Sequence, residues 1–120
     1  MNKEEMKART KKYALRVIKA VQSLPESRVA NVLGTQLLRA GTSVGANYRA
    51  ACRAKSTADF VNKLKIVEEE GDESLFWMEL LIESGLTPQR KLSELMKEGD
   101  EIVAIIVAAL KTTRLVNRNS

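Results

Sequence analysis

The chain is 120 residues long and has no histidine, one cysteine, two prolines, six glycines and a formal net charge of +5. That length suits one domain with a core that needs neither disulfide nor metal, and a single cysteine excludes an internal disulfide and fits a reducing compartment. Without histidine, Ser-His-Asp and Cys-His catalytic arrangements are excluded, as are the Glu-x-x-His ligand sets of di-iron carboxylate bundles.

The first helix is expected over residues 3–23. Met6, Thr10, Ala14, Val17, Val21 and Leu24 recur at helical spacing, and Tyr13 and Ile18 widen the stripe. Lys7, Lys11, Lys12, Arg16 and Lys19 take the opposite side. Leu24-Pro25-Glu26-Ser27 ends the helix, because Pro25 cannot continue it and restricts the residue before it. Pro25 also suits the first position of the next helix.

The second helix is expected over residues 26–54, with Leu33, Leu37, Ala40, Val44, Tyr48 and Ala51 on its core face. Gly34, Gly41 and Gly45 line one edge of that face with Cys52. Such a row suits close packing inside a bundle better than a ligand groove. The far face, Thr35, Arg39, Thr42, Ala46, Arg49 and Arg53, is basic and otherwise small. Gln36, Ser43 and Asn47 flank the core and need partners if buried, either on a neighbouring helix or subunit or in water at a wet edge.

The third helix is expected over residues 58–84, opened by Ser56 as N-cap with Asp59 in its first turn and closed by Gly85. Its core face is Phe60, Leu64, Val67, Ser74, Leu75, Met78 and Ile82, with Gly71 among them. A second stripe, Ile66, Glu70, Glu73, Trp77 and Leu80, points about a third of a turn away. A lone bundle would expose it, so it reads as a subunit interface; the alternative is a wide core face with Trp77 over the bundle edge. The fourth helix is expected over residues 88–116, starting at Thr87-Pro88. It carries Leu92, Leu95, Met96, Ile102, Val103, Ile106, Val107 and Leu110, a possible bend at Gly99, and a basic end with Lys111, Arg114 and Arg118.

Charge is unevenly spread. Residues 1–24 hold seven basic and two acidic side chains, and residues 56–84 hold two and eight. The acidic run Glu68-Glu69-Glu70, Asp72, Glu73 fans around its helix, which suits a solvated or arginine-paired face better than a cation site. No glycine-rich phosphate loop joins a strand to a helix, and Cys52 reads as a structural thiol. No catalytic residue, metal ligand or cofactor site is expected, so the protein is read as a non-enzyme. With no signal peptide in view and a longest apolar run, residues 102–110, too short for a bilayer, it is expected to be cytoplasmic and without a membrane partner.

These elements predict a single all-α domain over residues 1–120: an up-down-up-down antiparallel four-helix bundle. Binding is the function left. Lys7, Lys11, Lys12, Arg16, Lys19, Arg114 and Arg118 are the candidate phosphate contacts to RNA or DNA. Arg39, Arg49 or Arg53 of one subunit is expected to meet Glu70, Glu73 or a neighbouring carboxylate of another, and the Ile66, Trp77, Leu80 stripe is expected to be buried between subunits. The rival reading is a structural or adaptor oligomer that binds another protein and no nucleic acid.

Two stretches carry a family resemblance. Leu37-Leu38-Arg39-Ala40-Gly41-Thr42-Ser43-Val44-Gly45-Ala46-Asn47, and Ala58-Asp59-Phe60 with Lys63-Leu64 and the acidic run after it, resemble signatures of the bacterial four helix bundle protein family. Members include proteins encoded in intervening sequences of large-subunit ribosomal RNA genes, and the accessory variability protein of diversity-generating retroelements is a relative. The resemblance spans nearly the whole chain. It implies a four-helix bundle, often a homopentamer, without known catalysis; in the retroelement relatives it implies binding to nucleic acid and a reverse transcriptase. It supplies no site residues.

Overall fold

The computed structural model describes the backbone of residues 1–119 and the side chains of residues 1–114. Four helices follow one another: α1 (Lys3–Gln22), α2 (Arg28–Cys52), α3 (Thr57–Glu83) and α4 (Gln89–Asn119). They form the expected antiparallel four-helix bundle, each packed on its sequence neighbours, and the α1–α4 edge closes the ring with the thinnest seam.

Local chemistry sets the helix ends. Asn2 caps α1: the Glu5 N–H donates to Asn2 Oδ1 at 2.8 Å, and Asn2 Nδ2 donates back to Glu5 Oε1. Pro25 does not start α2. Ser27, in extended backbone, caps it by accepting the Ala30 N–H at 3.1 Å, since a side-chain oxygen satisfies an orphan donor that proline leaves open. α2 stops two residues early because the N–H groups of Arg53 and Ala54 turn back to Ala50 and Ala51, tightening the last turn. Ser56 caps α3 through Asp59 N–H at 3.1 Å. At the other end Gly85 takes φ +80°, and Leu86 N–H reaches back to the Leu81 carbonyl, a left-handed turn that glycine adopts without strain. Pro88 stands one residue before α4, its carbonyl accepting the Lys91 N–H at 3.1 Å. Gly99 lies inside an unbroken α4.

The core lies mostly on the expected faces, but at the end of α3 Leu81 is wholly buried and Ile82, expected there, is only half-buried, since one residue is 100° of helix turn. Val17, Leu37, Val44, Leu64, Met78, Ile102 and Ile106 are almost wholly buried, each stabilising the fold by about 1.5–3 kcal/mol relative to exposure. Polar groups share the core: the Thr10 hydroxyl donates to the Met6 carbonyl at 2.9 Å, and Tyr13 meets Ser74. Tyr13 Oη and Ser74 Oγ lie 2.8 Å apart, and Ser74 also donates to the Gly71 carbonyl at 2.6 Å. These last two hydroxyls therefore satisfy each other at the level where α1, α3 and α4 meet. Burial pushes the Tyr13 phenol up to about 12, against a smaller downward pull from the Ser74 hydrogen bond.

The glycine row of α2 packs against α1. A Cβ at Gly41 would lie 2.7 Å from Val17 Cγ2, and one at Gly45 would lie 3.2 Å from the Thr10 carbonyl oxygen. The missing side chains thus let the two helices approach closely. The flanking polar stripe finds its partners on its own helix. Ser43 donates to the Arg39 carbonyl at 2.7 Å, Asn47 to the Ser43 carbonyl at 2.9 Å, and Gln36 accepts from Arg39 Nε at 3.2 Å. No neighbouring helix is needed, because a short side chain on a helix reaches the carbonyl one turn back.

Candidate nucleic-acid interface

The five cations assigned to one face of α1 divide between two sides of it. Lys7 and Lys11 lean toward α2, where they border a groove of about 350 Å3 with Ala14, Thr42, Gly45, Ala46 and Arg49. Lys7 pairs with Glu4 at 3.0 Å. Lys12 and Lys19 are exposed. Arg16 is half-buried on the α4 side, where its charge helps hold the Glu98 carboxyl low. A helix turns 100° per residue, so Lys7 and Arg16 cannot share a narrow face.

The main cause of the Glu98 shift is Arg9. Its guanidinium donates to both Glu98 oxygens at 2.7 Å and to Glu101 Oε2 at 2.7 Å, clamping α1 to α4 across the thin seam. Arg9 is not among the residues expected at the site. Nothing in the spacing marks Arg9 out, because its partners lie 89 and 92 residues away.

On α2, Arg39 meets the carboxylates expected of it within its own chain. Arg39 Nη1 lies 3.1 Å from Glu70 Oε2, Arg39 Nη2 bonds Glu73, and Trp77 Nε1 donates to Glu73 at 3.1 Å. The expected partnership across subunits is therefore met by neighbouring antiparallel helices of one chain. Arg49 and Arg53 are exposed. Among the described residues, no carboxylate stands within ion-pairing distance of Lys11, Lys12, Lys19, Arg49 or Arg53.

The second stripe of α3 is partly covered. Trp77 is half-buried and packs on the core, and Leu80 is half-buried, whereas Ile66 remains 40% exposed. Phe76, absent from the expected stripe, is 48% exposed and stacks edge-on against Trp77 with ring centroids 5.1 Å apart. Val32 of α2 is also exposed.

Lys111 is exposed at the far end of α4. Arg114 borders a hollow with Lys65, Glu68, Glu69 and Asp72, on the acidic side of α3. Arg118 lies outside the described side chains. Among the described residues no three His, Cys, Asp or Glu side chains converge as a metal site, and no helix is long and apolar enough to cross a membrane.

A family model described as 23S rRNA-intervening sequence protein matches residues 2–108. The chain is similar to a solved protein with unknown function from the S23 ribosomal protein family of Bacteroides thetaiotaomicron VPI-5482. The two are 33% identical with a TM-score of 0.83, and the match covers 88% of this chain and 98% of the other. No curated protein matches the sequence.

Proposed function

This chain belongs to the 23S rRNA-intervening sequence protein family, and on that premise we propose that it is a non-enzymatic, homo-oligomeric helical scaffold that binds structured nucleic acid through phosphate contacts. The observation that carries this reading is the separation of charge. Lys11, Lys12, Lys19, Arg49 and Arg53 stand exposed on α1 and α2 without carboxylate partners among the described residues, while Glu69, Asp72 and Glu79 are exposed on α3. Unneutralised cations attract an anionic polymer, and contacts to phosphate release counterions irrespective of base sequence. A family defined by an insertion in a ribosomal RNA gene fits such a ligand. Filter binding of duplex and structured RNA at about 50 and about 200 mM salt tests it. Binding at the lower salt that falls steeply at the higher supports the reading; no binding at about 50 mM overturns it.

Self-assembly rests on a separate observation, the exposed Ile66 and Phe76 beside half-buried Trp77 and Leu80. Apolar side chains on one surface favour a partner that covers them. Light scattering after gel filtration is expected to show an oligomer that Ile66→Ser with Phe76→Ser dissociates. A wild-type monomer would overturn this part. The adaptor reading shares this surface and is favoured if the oligomer forms but no RNA or DNA binds.

A further inference from the structure

Lys7 and Lys11 of α1 and Arg49 of α2 stand at one groove that no carboxylate lines, whereas Lys65 and Arg114 share theirs with Glu68, Glu69 and Asp72. We infer that this groove is a phosphodiester site: it takes the sugar-phosphate backbone of one nucleic-acid strand, with Lys7, Lys11 and Arg49 on the phosphates. The inference rests on the nucleic-acid reading above and adds the place and the chemistry of the contact.

The glycine row keeps side chains out of the α1–α2 contact beneath the groove. A Cβ at Gly45 would lie 3.2 Å from the Thr10 carbonyl oxygen, tighter than ordinary contact, so the bare glycine lets α1 sit slightly closer. Lys7 and Lys11 of α1 stand over the same hollow as Arg49 of α2. The floor is Ala14, Thr42, Gly45 and Ala46, and the volume is about 350 Å3. Small floor residues leave room for a backbone, and no carboxylate lines the groove to repel it. Thr42 spends its hydroxyl proton on the Leu38 carbonyl at 2.7 Å, so the donors that face a ligand are the cations.

The arrangement also sets the ligand class. Lys7 and Lys11 are four residues apart, about 6 Å along the helix, and so can meet successive phosphates of a strand rather than one compact anion. Lys7 is held by Glu4 at 3.0 Å, which orders its ammonium but weakens it, whereas Lys11 and Arg49 have no such partner among the described residues. Neither aromatic ring nor side-chain amide lines the groove. The donors there are cations, whose general ligand is phosphate, so recognition is assigned to the backbone.

Lys11→Gln with Arg49→Gln tests the site, measured by filter binding to structured RNA across a salt series. Each lost phosphate contact lowers the salt slope by about 0.7–0.9, so the double variant should lose about 1.5 in slope and about one hundredfold in affinity at about 50 mM salt. Lys91→Gln with Lys97→Gln removes the same charge from exposed positions on α4 and should change affinity only a few-fold. A second pair of variants at the exposed floor residue works by sign: Ala46→Glu should weaken binding and Ala46→Lys strengthen it. Inorganic phosphate, exchanged for chloride at constant ionic strength, should not displace the RNA. If the wild type binds and the groove variants match the α4 control, or both Ala46 variants bind like wild type, the groove assignment is overturned while the nucleic-acid reading stands. Displacement by low-millimolar phosphate would make the groove a free-phosphate site and overturn the backbone assignment. Absence of wild-type binding would overturn both.

Discussion

Gly41→Ala should destabilise the bundle even though it replaces a helix-interior glycine with the best helix former. By propensity alone the substitution is worth about 1 kcal/mol in favour of folding. The structure opposes that gain. The new methyl would lie 2.7 Å from Val17 Cγ2, 2.8 Å from Cγ1 and 3.1 Å from Cβ, where carbon atoms prefer about 3.5–4.0 Å. Val17 cannot turn away, because a β-branched residue in a helix has one strongly preferred χ1 rotamer and its Cβ moves only with the backbone. Relief therefore requires α1 to shift bodily from α2. Overpacking of this kind costs about 1–3 kcal/mol, and contact with a backbone-anchored atom belongs at the upper end. The net loss should be about 2 kcal/mol, or about 8 °C in Tm for a domain of this size. Val17→Ala alone leaves a cavity at a wholly buried site and should cost about 2–3 kcal/mol. Combined, the two changes move a methyl across the seam, so their joint cost should fall short of the sum by at least about 1 kcal/mol. Urea unfolding followed by circular dichroism at 222 nm gives all three values. A stabilising Gly41→Ala, or strict additivity with Val17→Ala, would refute the claim that this glycine sets the α1–α2 distance.

The α1–α4 clamp predicts acid sensitivity. Arg9 holds the Glu98 carboxyl below its usual range, so the stabilisation is complete above the unfolded carboxylate pKa and is lost as pH falls through the lower folded value. With solvent reaching about a fifth of both side chains and screening the pair, the contribution should be about 1 kcal/mol. Glu98→Gln should remove that much at pH 7 and nothing in strong acid; an equal loss at both would show the charge to be irrelevant. At the alkaline end, burial lifts both Tyr13 and Tyr48 to about 12. Both should stay protonated in the fold while the unfolded chain ionises near pH 10, so stability should decline between about pH 10 and 12. Absorbance at 295 nm should then rise with unfolding and not before it. Finally, Arg39→Ala should lower the urea midpoint by the same small amount at every protein concentration, since its partners Glu70 and Glu73 belong to its own chain. A loss that grows with concentration would put the pair between subunits instead.

Much of this molecule was legible in one dimension. The 3.6-residue recurrence of apolar side chains fixes which face of each helix is buried, and Val17, Leu37, Val44, Leu64, Met78 and Ile106 all lie where that recurrence puts them. Ser56 and Gly85 mark the ends of α3 by local chemistry alone, an oxygen for an unpaired N–H and a backbone free to take positive φ. Such features depend on neighbours within a turn. What depends on the rotation of one helix about its axis relative to another was not legible. The spacing of Arg39, Glu70 and Glu73 says that they can pair but not that one chain suffices. Tyr13 and Ser74 both stand on core stripes, and only packing at one level makes them partners. Phe76 and Trp77 are adjacent, yet 100° of helix turn leaves the first exposed and tucks the second against the core. Lys7 and Lys11 stand on one helix and Arg49 on another, and only the packing of α1 on α2 puts them over one groove. Periodicity tells each helix which side to bury; which charges share a groove is decided by how two helices pack.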